Sequence, residues 1–131
     1  MPFIARAQSF LVDQGPLSNH KKNPEMVETV RFMLEHAVGV DHAIATQRIV
    51  DHLQENGYDI RNKEDWQITV LGPLRENGII IGSKRSKGMF LISSEFDARI
   101  VVSQMQERIS KESERLQLLI DMVSEVGWSP N

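Results

Sequence analysis

The stretch from residue 94 to residue 126 contains neither glycine nor proline, so no residue in it interrupts a helix. A helix over these 33 residues would be roughly 50 Å long, more than a small domain can cover. Apolar side chains recur along it in steps of three and four, with Glu112 as one polar interruption, which is the a and d pattern of a coiled coil. The predicted seam residues are Val102, Met105, Ile109, Leu116, Leu119, Val123 and Val126.

The first part of this helix can pack on its own domain, and we expect Phe96, Ile100 and Val101 to do so. Beyond Met105 the apolar stripe continues past the reach of one small domain. The simplest partner is the same helix in a second copy of the chain, so the pattern predicts a homodimer. Residues 94–131 are therefore interpreted as a C-terminal dimerisation segment.

The composition indicates one domain, because 40% hydrophobic residues in a chain of 131 are enough for a single core and no more. The 15 Lys and Arg residues against 18 Asp and Glu give a formal charge of −3, so any site for a polyanion has to be local. The absence of cysteine excludes disulfide frameworks, thiol nucleophiles and cysteine-bound metals. Neither a signal-peptide order nor a membrane-spanning run is found, and we expect a cytoplasmic protein with no membrane contact.

Residues 1–23 show no clear period and contain Gly15 and Pro16 followed by polar residues, which is typical of an irregular N-terminal arm. We expect this arm to dock on the domain, because exposing several large apolar groups is costly. The side chains expected to anchor it are Phe3, Ile4, Phe10, Leu11 and Val12.

Three helices are predicted between the arm and residue 78. The first runs from about 24 to 37 with Asn23 as its cap, and the second from about 46 to 56 with Thr46 as its cap. The third runs from Asn62 to residue 77 and has acidic residues in its first turn, where the helix dipole favours them.

The third helix has two notable features. Its buried face is predicted to carry Trp66, Val70 and Leu74. Because Pro73 cannot donate a backbone hydrogen bond and its ring crowds the preceding turn, we expect a kink or break between Gly72 and Pro73.

Two β-prone runs, 79–81 and 89–92, are joined by a polar loop bounded by Gly82 and Gly88, which predicts a β-hairpin. Lys84, Arg85 and Lys87 give its tip three positive charges. Such a tip suits contact with phosphates, although lysines also serve to keep a sheet edge from aggregating. Either Ser93 or Ser94 is then expected to cap the final helix.

The order of these elements resembles the winged helix-turn-helix superfamily of DNA-binding domains over residues 24–93. The resemblance rests on the strand-to-helix step at 43–46, the Leu-x-Glu-Asn-Gly helix ends at 53–57 and 74–78, and the hairpin run at 79–92. Similar runs occur in bacterial and phage regulators, replication proteins and restriction-associated modules. The implied fold class is mainly α with a small β-hairpin wing, followed here by the long C-terminal helix.

The resemblance implies a dimeric protein that binds double-stranded DNA, such as a transcriptional regulator. The third helix would enter the major groove, where Gln67 suits adenine and Thr69 suits a thymine methyl group or a phosphate, while the wing would contact the flanking backbone. The residues implied in DNA binding are Arg61, Lys63, Gln67, Thr69, Lys84, Arg85 and Lys87. Glu64 and Asp65 depart from this pattern, because acids repel phosphates unless both serve to cap the helix.

A second interpretation keeps the winged fold as a scaffold for protein assembly through the long helix, without DNA binding. Glu64, Asp65 and the negative net charge favour it. An enzyme is not expected, since the chain has no HExxH pair, phosphate-binding glycine loop or nucleophile elbow. The four histidines are scattered, so no metal or cofactor is expected, and no residue set indicates a small-molecule effector.

Overall fold

The computed structural model describes residues 2–130, and it is mainly helical with one small antiparallel sheet and a long C-terminal helix, as predicted. The helices are α1 (Pro2–Val12), α2 (Asn23–His36), α3 (Thr46–Glu55), α4 (Lys63–Trp66), α5 (Gly72–Glu76) and α6 (Glu95–Glu125), with 3₁₀ turns at Gly15–Leu17 and Val40–His42. The strands are β1 (Ile81–Lys84) and β2 (Gly88–Leu91). The chain divides into two compact units, Met1–Ala98 and Arg99–Asn131.

The prediction of an irregular N-terminal arm is wrong, because its first half forms α1. Ile4, Ala7 and Phe10 recur at helical spacing, and the last two are buried in the core, where α1 packs on α2. Leu17, in the 3₁₀ turn that follows, is buried in the same core. Docking of this segment therefore occurs, but Val12 is not one of its anchors, since 88% of its surface is exposed.

The core of the first unit lies between α2, α3 and the predicted third helix. Trp66, Val70 and Leu74 are fully buried there, which confirms the predicted face. The Trp66 indole Nε1 donates to the hydroxyl of Thr29 on α2 at 3.2 Å, and both residues are inaccessible to solvent. The only polar atom of this large ring is therefore paired inside the core, which stabilises one orientation of the indole.

Of the kink or break expected between Gly72 and Pro73, no break occurs, because the predicted third helix continues through Pro73. A π-helical stretch, Gln67–Leu71, joins α4 directly to α5, and we call residues 63–76 the composite helix. The backbone N–H of Gly72 donates to the carbonyl of Gln67, five residues earlier. Such a widened turn gives a proline ring more room than an α-helical turn does, so the chain passes Pro73 and stays helical.

The helix caps agree with the predictions at two of four starts. Asn62 accepts from the backbone N–H of Asp65 at 2.9 Å, and Ser94 accepts from that of Asp97 at 3.1 Å. Thr46 and Asn23 are instead the first residues of α3 and α2, and neither helix has a side-chain cap. The side-chain amide of Asn23 donates to the carbonyl of Leu17 at 3.0 Å and thereby ties the 3₁₀ turn to α2.

The predicted hairpin forms with a shorter tip than expected. The turn comprises residues 85–87 only, while Gly82 and Lys84 lie in β1, opposite Phe90 and Gly88. A backbone bridge also pairs Ile44 with Met89, so the residues just before α3 lie against β2. The predicted loop was too long because its polar composition conceals four strand positions, residues 82–84 and 88, which need not carry apolar side chains.

The start of α6 is fixed by a buried carboxylate. Asp97 accepts hydrogen bonds from the backbone N–H groups of Ser93 at 2.9 Å and Val40 at 3.2 Å, and from the hydroxyl of Ser93 at 3.0 Å. The prediction for Phe96 is wrong, because this ring is 64% exposed, whereas Val101 is buried and Ile100 is half-buried. The start of the helix is therefore held by the hydrogen bonds of Asp97 and not by packing of the Phe96 ring.

Candidate nucleic-acid interface

A cleft of about 580 Å³ lies where three segments of the first unit meet: the start of α3, the start of the composite helix and the tip of the hairpin. Its lining residues are Ala45, Thr46, Gln47, Lys63, Glu64, Gln67, Arg85, Ser86, Lys87 and Gly88. Four of the residues predicted to bind DNA therefore lie around one cavity, although they come from positions up to 24 apart in the chain.

Backbone pairing between Ile44 and Met89 holds two walls of the cleft together. The N–H of Met89 donates to the carbonyl of Ile44 at 2.7 Å, and the N–H of Ile44 donates to the carbonyl of Met89 at 2.9 Å. Gly88 has a φ of +110°, and a Cβ built on it would lie 2.2 Å from the carbonyl oxygen of Ile44. Only glycine permits this approach, so Gly88 keeps the hairpin tip beside the start of α3.

The wall formed by the composite helix is fixed by its first turn. Besides donating to Asn62, Asp65 accepts from the backbone N–H of Arg61 at 3.0 Å, and its other oxygen lies 3.7 Å from the Arg61 guanidinium. The hydrogen bond from the backbone N–H of Arg61 is the main cause of a lowered pKa for Asp65; burial opposes it, and the Arg61 guanidinium charge adds to the lowering. Asp65 thus supports the start of the helix, whereas Glu64 lines the cleft, so only one of the two acids has the capping role that was expected for both.

Positive charge dominates the cleft. Lys63, Arg85 and Lys87 are exposed, and none of them takes part in the ion pairs found among residues 2–130. Glu64 is the single carboxylate in the lining. Unpaired cations that converge on a cavity attract anions, and phosphate groups are among the anions that lysine and arginine bind well.

The start of α3 adds a partial positive charge to the same cleft. This helix has no acidic residue in its first turn and no side-chain cap, so its leading backbone amides are not covered by a carboxylate. Aligned peptide dipoles make such a helix end a favourable place for an anion. Sequence reasoning did not assign residues 45–47 to the site, because it expected the Thr46 side chain to cap this helix.

The other predicted DNA contacts lie outside the cleft lining. Arg61 is exposed but paired with Asp65, and the Thr69 hydroxyl donates to the carbonyl of Asp65 at 2.7 Å in a half-buried position. Lys84 is half-buried on β1. The solvent face of the composite helix is instead formed by Lys63, Glu64, Gln67 and Ile68, and the last of these is 74% exposed.

The predicted seam on α6 is exposed in the single chain. Six of its seven residues have between 52 and 65% of their surface accessible, and Val123 is half-buried. Glu112, the polar interruption of the seam, forms an ion pair with Arg115, and both side chains are exposed. Exposure of so many large apolar side chains along one helix is typical of a protein interaction surface.

Comparison with protein-family models, with curated proteins and with solved structures finds no match. No helix among residues 2–130 has the length and apolar character needed to cross a membrane. Within the same described range, no three metal-ligating side chains come together. The site therefore has to be interpreted from its own geometry.

Proposed function

We propose that this chain is a winged helix-turn-helix protein that binds double-stranded DNA as a homodimer and acts as a transcriptional regulator or a similar DNA-targeting factor. The observation that carries the proposal is the cleft in which Lys63, Arg85 and Lys87 converge with the start of α3. The element order supports it, because the Ile44–Met89 bridge joins the hairpin to the chain between the first two helices of the predicted trihelical unit.

The cleft suits a DNA backbone segment. Arg85 and Lys87 are exposed at the tip of the hairpin and can reach a phosphate with their long side chains, while the amides at the start of α3 are held by the helix. Contacts of this kind provide affinity and orientation without reading sequence. Glu64 disfavours a phosphate in its immediate vicinity, so the backbone would lie nearer the hairpin than the composite helix.

The exposed face of the composite helix suits the base edges beside that backbone. Gln67 can make two hydrogen bonds to an adenine, and the neighbouring Ile68 offers an apolar contact to a thymine methyl group. Base recognition therefore centres on Gln67 and Ile68 in this proposal. Thr69 contributes less to base recognition, because its hydroxyl already donates to the carbonyl of Asp65 within the helix.

The test is fluorescence anisotropy with a random-sequence duplex about three helical turns long, titrated between about 50 and 200 mM salt. The Arg85→Ala/Lys87→Ala variant should bind more weakly, and the slope of log affinity against log salt should fall by about 2 per protomer. The matched control is Lys21→Ala/Lys111→Ala, which removes the same charge at positions outside the cleft lining.

Three outcomes can be told apart. A weakened cleft variant beside an unchanged control supports the proposal. Equal weakening of both variants means that net charge, and not the cleft, governs binding. Absence of binding by the natural chain even at low salt contradicts a DNA-binding function.

A second candidate function is a protein-assembly module that works through α6 and does not bind DNA. Glu64 in the cleft and the exposed seam on α6 favour it. The same titration decides between the two candidates, because an assembly module should not bind the duplex even at low salt. Its oligomeric mass, measured by light scattering, should be the same with and without the duplex.

A further inference from the structure

The two halves of the seam on α6 differ in how much of the helix surface is apolar. Residues 102–112 contain three large apolar side chains, those of Val102, Met105 and Ile109, which form a narrow stripe. Residues 116–126 contain seven in the same length, and we call this segment the C-terminal apolar segment. Its apolar members are Leu116, Leu118, Leu119, Ile120, Met122, Val123 and Val126.

At 100° per residue, these seven side chains cover roughly 200° of the helix circumference. A two-stranded coiled coil buries only its a and d positions, a strip about half as wide. Leu118 and Met122 lie outside those positions and are 61% and 55% exposed. One partner helix would therefore leave a second apolar strip in water.

The charges of this segment indicate which kind of partner can bind its apolar surface. Its polar side consists of Gln117, Asp121, Ser124 and Glu125, with no lysine or arginine. Helices that lie on a membrane surface carry basic residues on that side, and DNA would be repelled by acidic ones. The partner that this segment suits is therefore an apolar protein surface, and the same segment in other copies of the chain provides one. When such segments pack together, their acidic sides all face solvent and every apolar strip is covered.

We infer that the C-terminal apolar segment forms the core of a four-helix bundle, so that two dimers associate into a tetramer. The inference rests on the homodimer in the proposed function but not on DNA binding. Helices that face a bundle core use additional apolar positions beside a and d, as this segment does, whereas the narrower stripe at 102–112 is sufficient for pairing alone. The tetramer thus uses both strips of the helix.

The experiment is light scattering coupled to size exclusion on the full chain. The natural chain should elute at four times the chain mass of 14.9 kDa. Leu118→Gln/Met122→Gln should give twice the chain mass, because it removes the second strip and leaves the a and d positions intact. The control Gln117→Ala/Ser124→Ala alters the polar side and should keep the tetramer. All four positions are exposed, so none of the variants should unfold the chain.

A natural chain at twice the chain mass would overturn the bundle and leave the proposed dimer standing. A Leu118→Gln/Met122→Gln variant that stays tetrameric would overturn the assignment of the bundle to this segment. A natural chain at the mass of one copy would contradict both the bundle and the homodimer.

Discussion

Gly88 is the residue on which the geometry of the cleft depends most directly. Alanine at this position has to adopt a φ of +110° and to place its Cβ against the backbone of Ile44. We expect Gly88→Ala to lower the free energy of unfolding by about 3 kcal/mol or more, since strain and a backbone clash add together. Chemical denaturation followed by circular dichroism measures the loss.

Gly57→Ala is the matched control for that substitution. Gly57 also has a positive φ, of +81°, but a Cβ there would meet no atom within 4 Å. Only the conformational cost should remain, about 1 kcal/mol. Equal losses at the two glycines would show that the contact with Ile44 does not constrain the hairpin.

Asp97 predicts a pH dependence of stability. Burial tends to raise the pKa of this carboxyl, but hydrogen bonds from Ser93, Val40 and Ser94 outweigh it, so the pKa lies below its usual range. A group with a depressed pKa in the folded state contributes stability above its unfolded pKa, which is about 3.9. That contribution is lost as the pH falls through the folded value.

Asp97→Asn should therefore destabilise the chain by about 1–3 kcal/mol at pH 7, and the difference from the natural chain should shrink as the pH falls below about 4. Denaturant titrations at several pH values measure it. Asp121→Asn, on the exposed face of α6, is the control and should change stability little at any pH. A constant difference for Asp97→Asn across this range would contradict a role for the charged form.

At the scale of elements, the packing of the composite helix on α2 depends on the bond between Trp66 and Thr29. Trp66→Phe should cost about 2 kcal/mol through lost volume, and Thr29→Val about 1–3 kcal/mol because it leaves a buried indole N–H without an acceptor. The double variant should cost less than the sum of the two, by about 1 kcal/mol. Denaturant unfolding of all four proteins measures this coupling, and strict additivity would mean that the bond contributes nothing.

The elements differ in how far the sequence predicts them. Asn62 and Ser94 are predictable caps because capping chemistry is local to a few residues. The helix α1 is missed because Ala7, its central buried residue, is too small to mark an apolar period. The π-helical stretch at 67–71 is missed because Pro73, near the end of the apolar pattern, indicates a break. In the structure, burial of Val70 and Leu74 on either side of this point keeps the chain helical.

The cleft is only half predictable for a related reason. The basic tip of the hairpin and the polar face of the composite helix are visible in the sequence as Lys63, Gln67, Arg85 and Lys87. Their convergence depends on the pairing of Ile44 with Met89, a contact between residues 45 positions apart that no local pattern encodes. The start of α3 joins the site through the same contact.

For the whole molecule, the proposed function links assembly to DNA affinity. If α6 joins two or more DNA-binding units, a duplex long enough for two units is bound with the advantage of an effective local concentration. A duplex of about one helical turn accommodates one unit and lacks that advantage. The natural chain should therefore bind the longer duplex with a higher affinity than the short one. The ratio of the two affinities should be much larger than the ratio of the numbers of binding positions on the two duplexes.

Leu119→Asp should remove this preference while leaving the affinity for the short duplex unchanged. Leu119 is 58% exposed in the single chain, so an aspartate there disturbs the seam between copies and not the fold of the protomer. The measurement is the ratio of anisotropy-derived affinities for the two duplexes, which we expect to fall more than tenfold relative to the natural chain. Gln117→Ala/Ser124→Ala should keep the ratio, and Arg85→Ala/Lys87→Ala should lower both affinities. A Leu119→Asp protein that is monomeric by light scattering but keeps the natural ratio would show that assembly through α6 does not contribute to DNA binding.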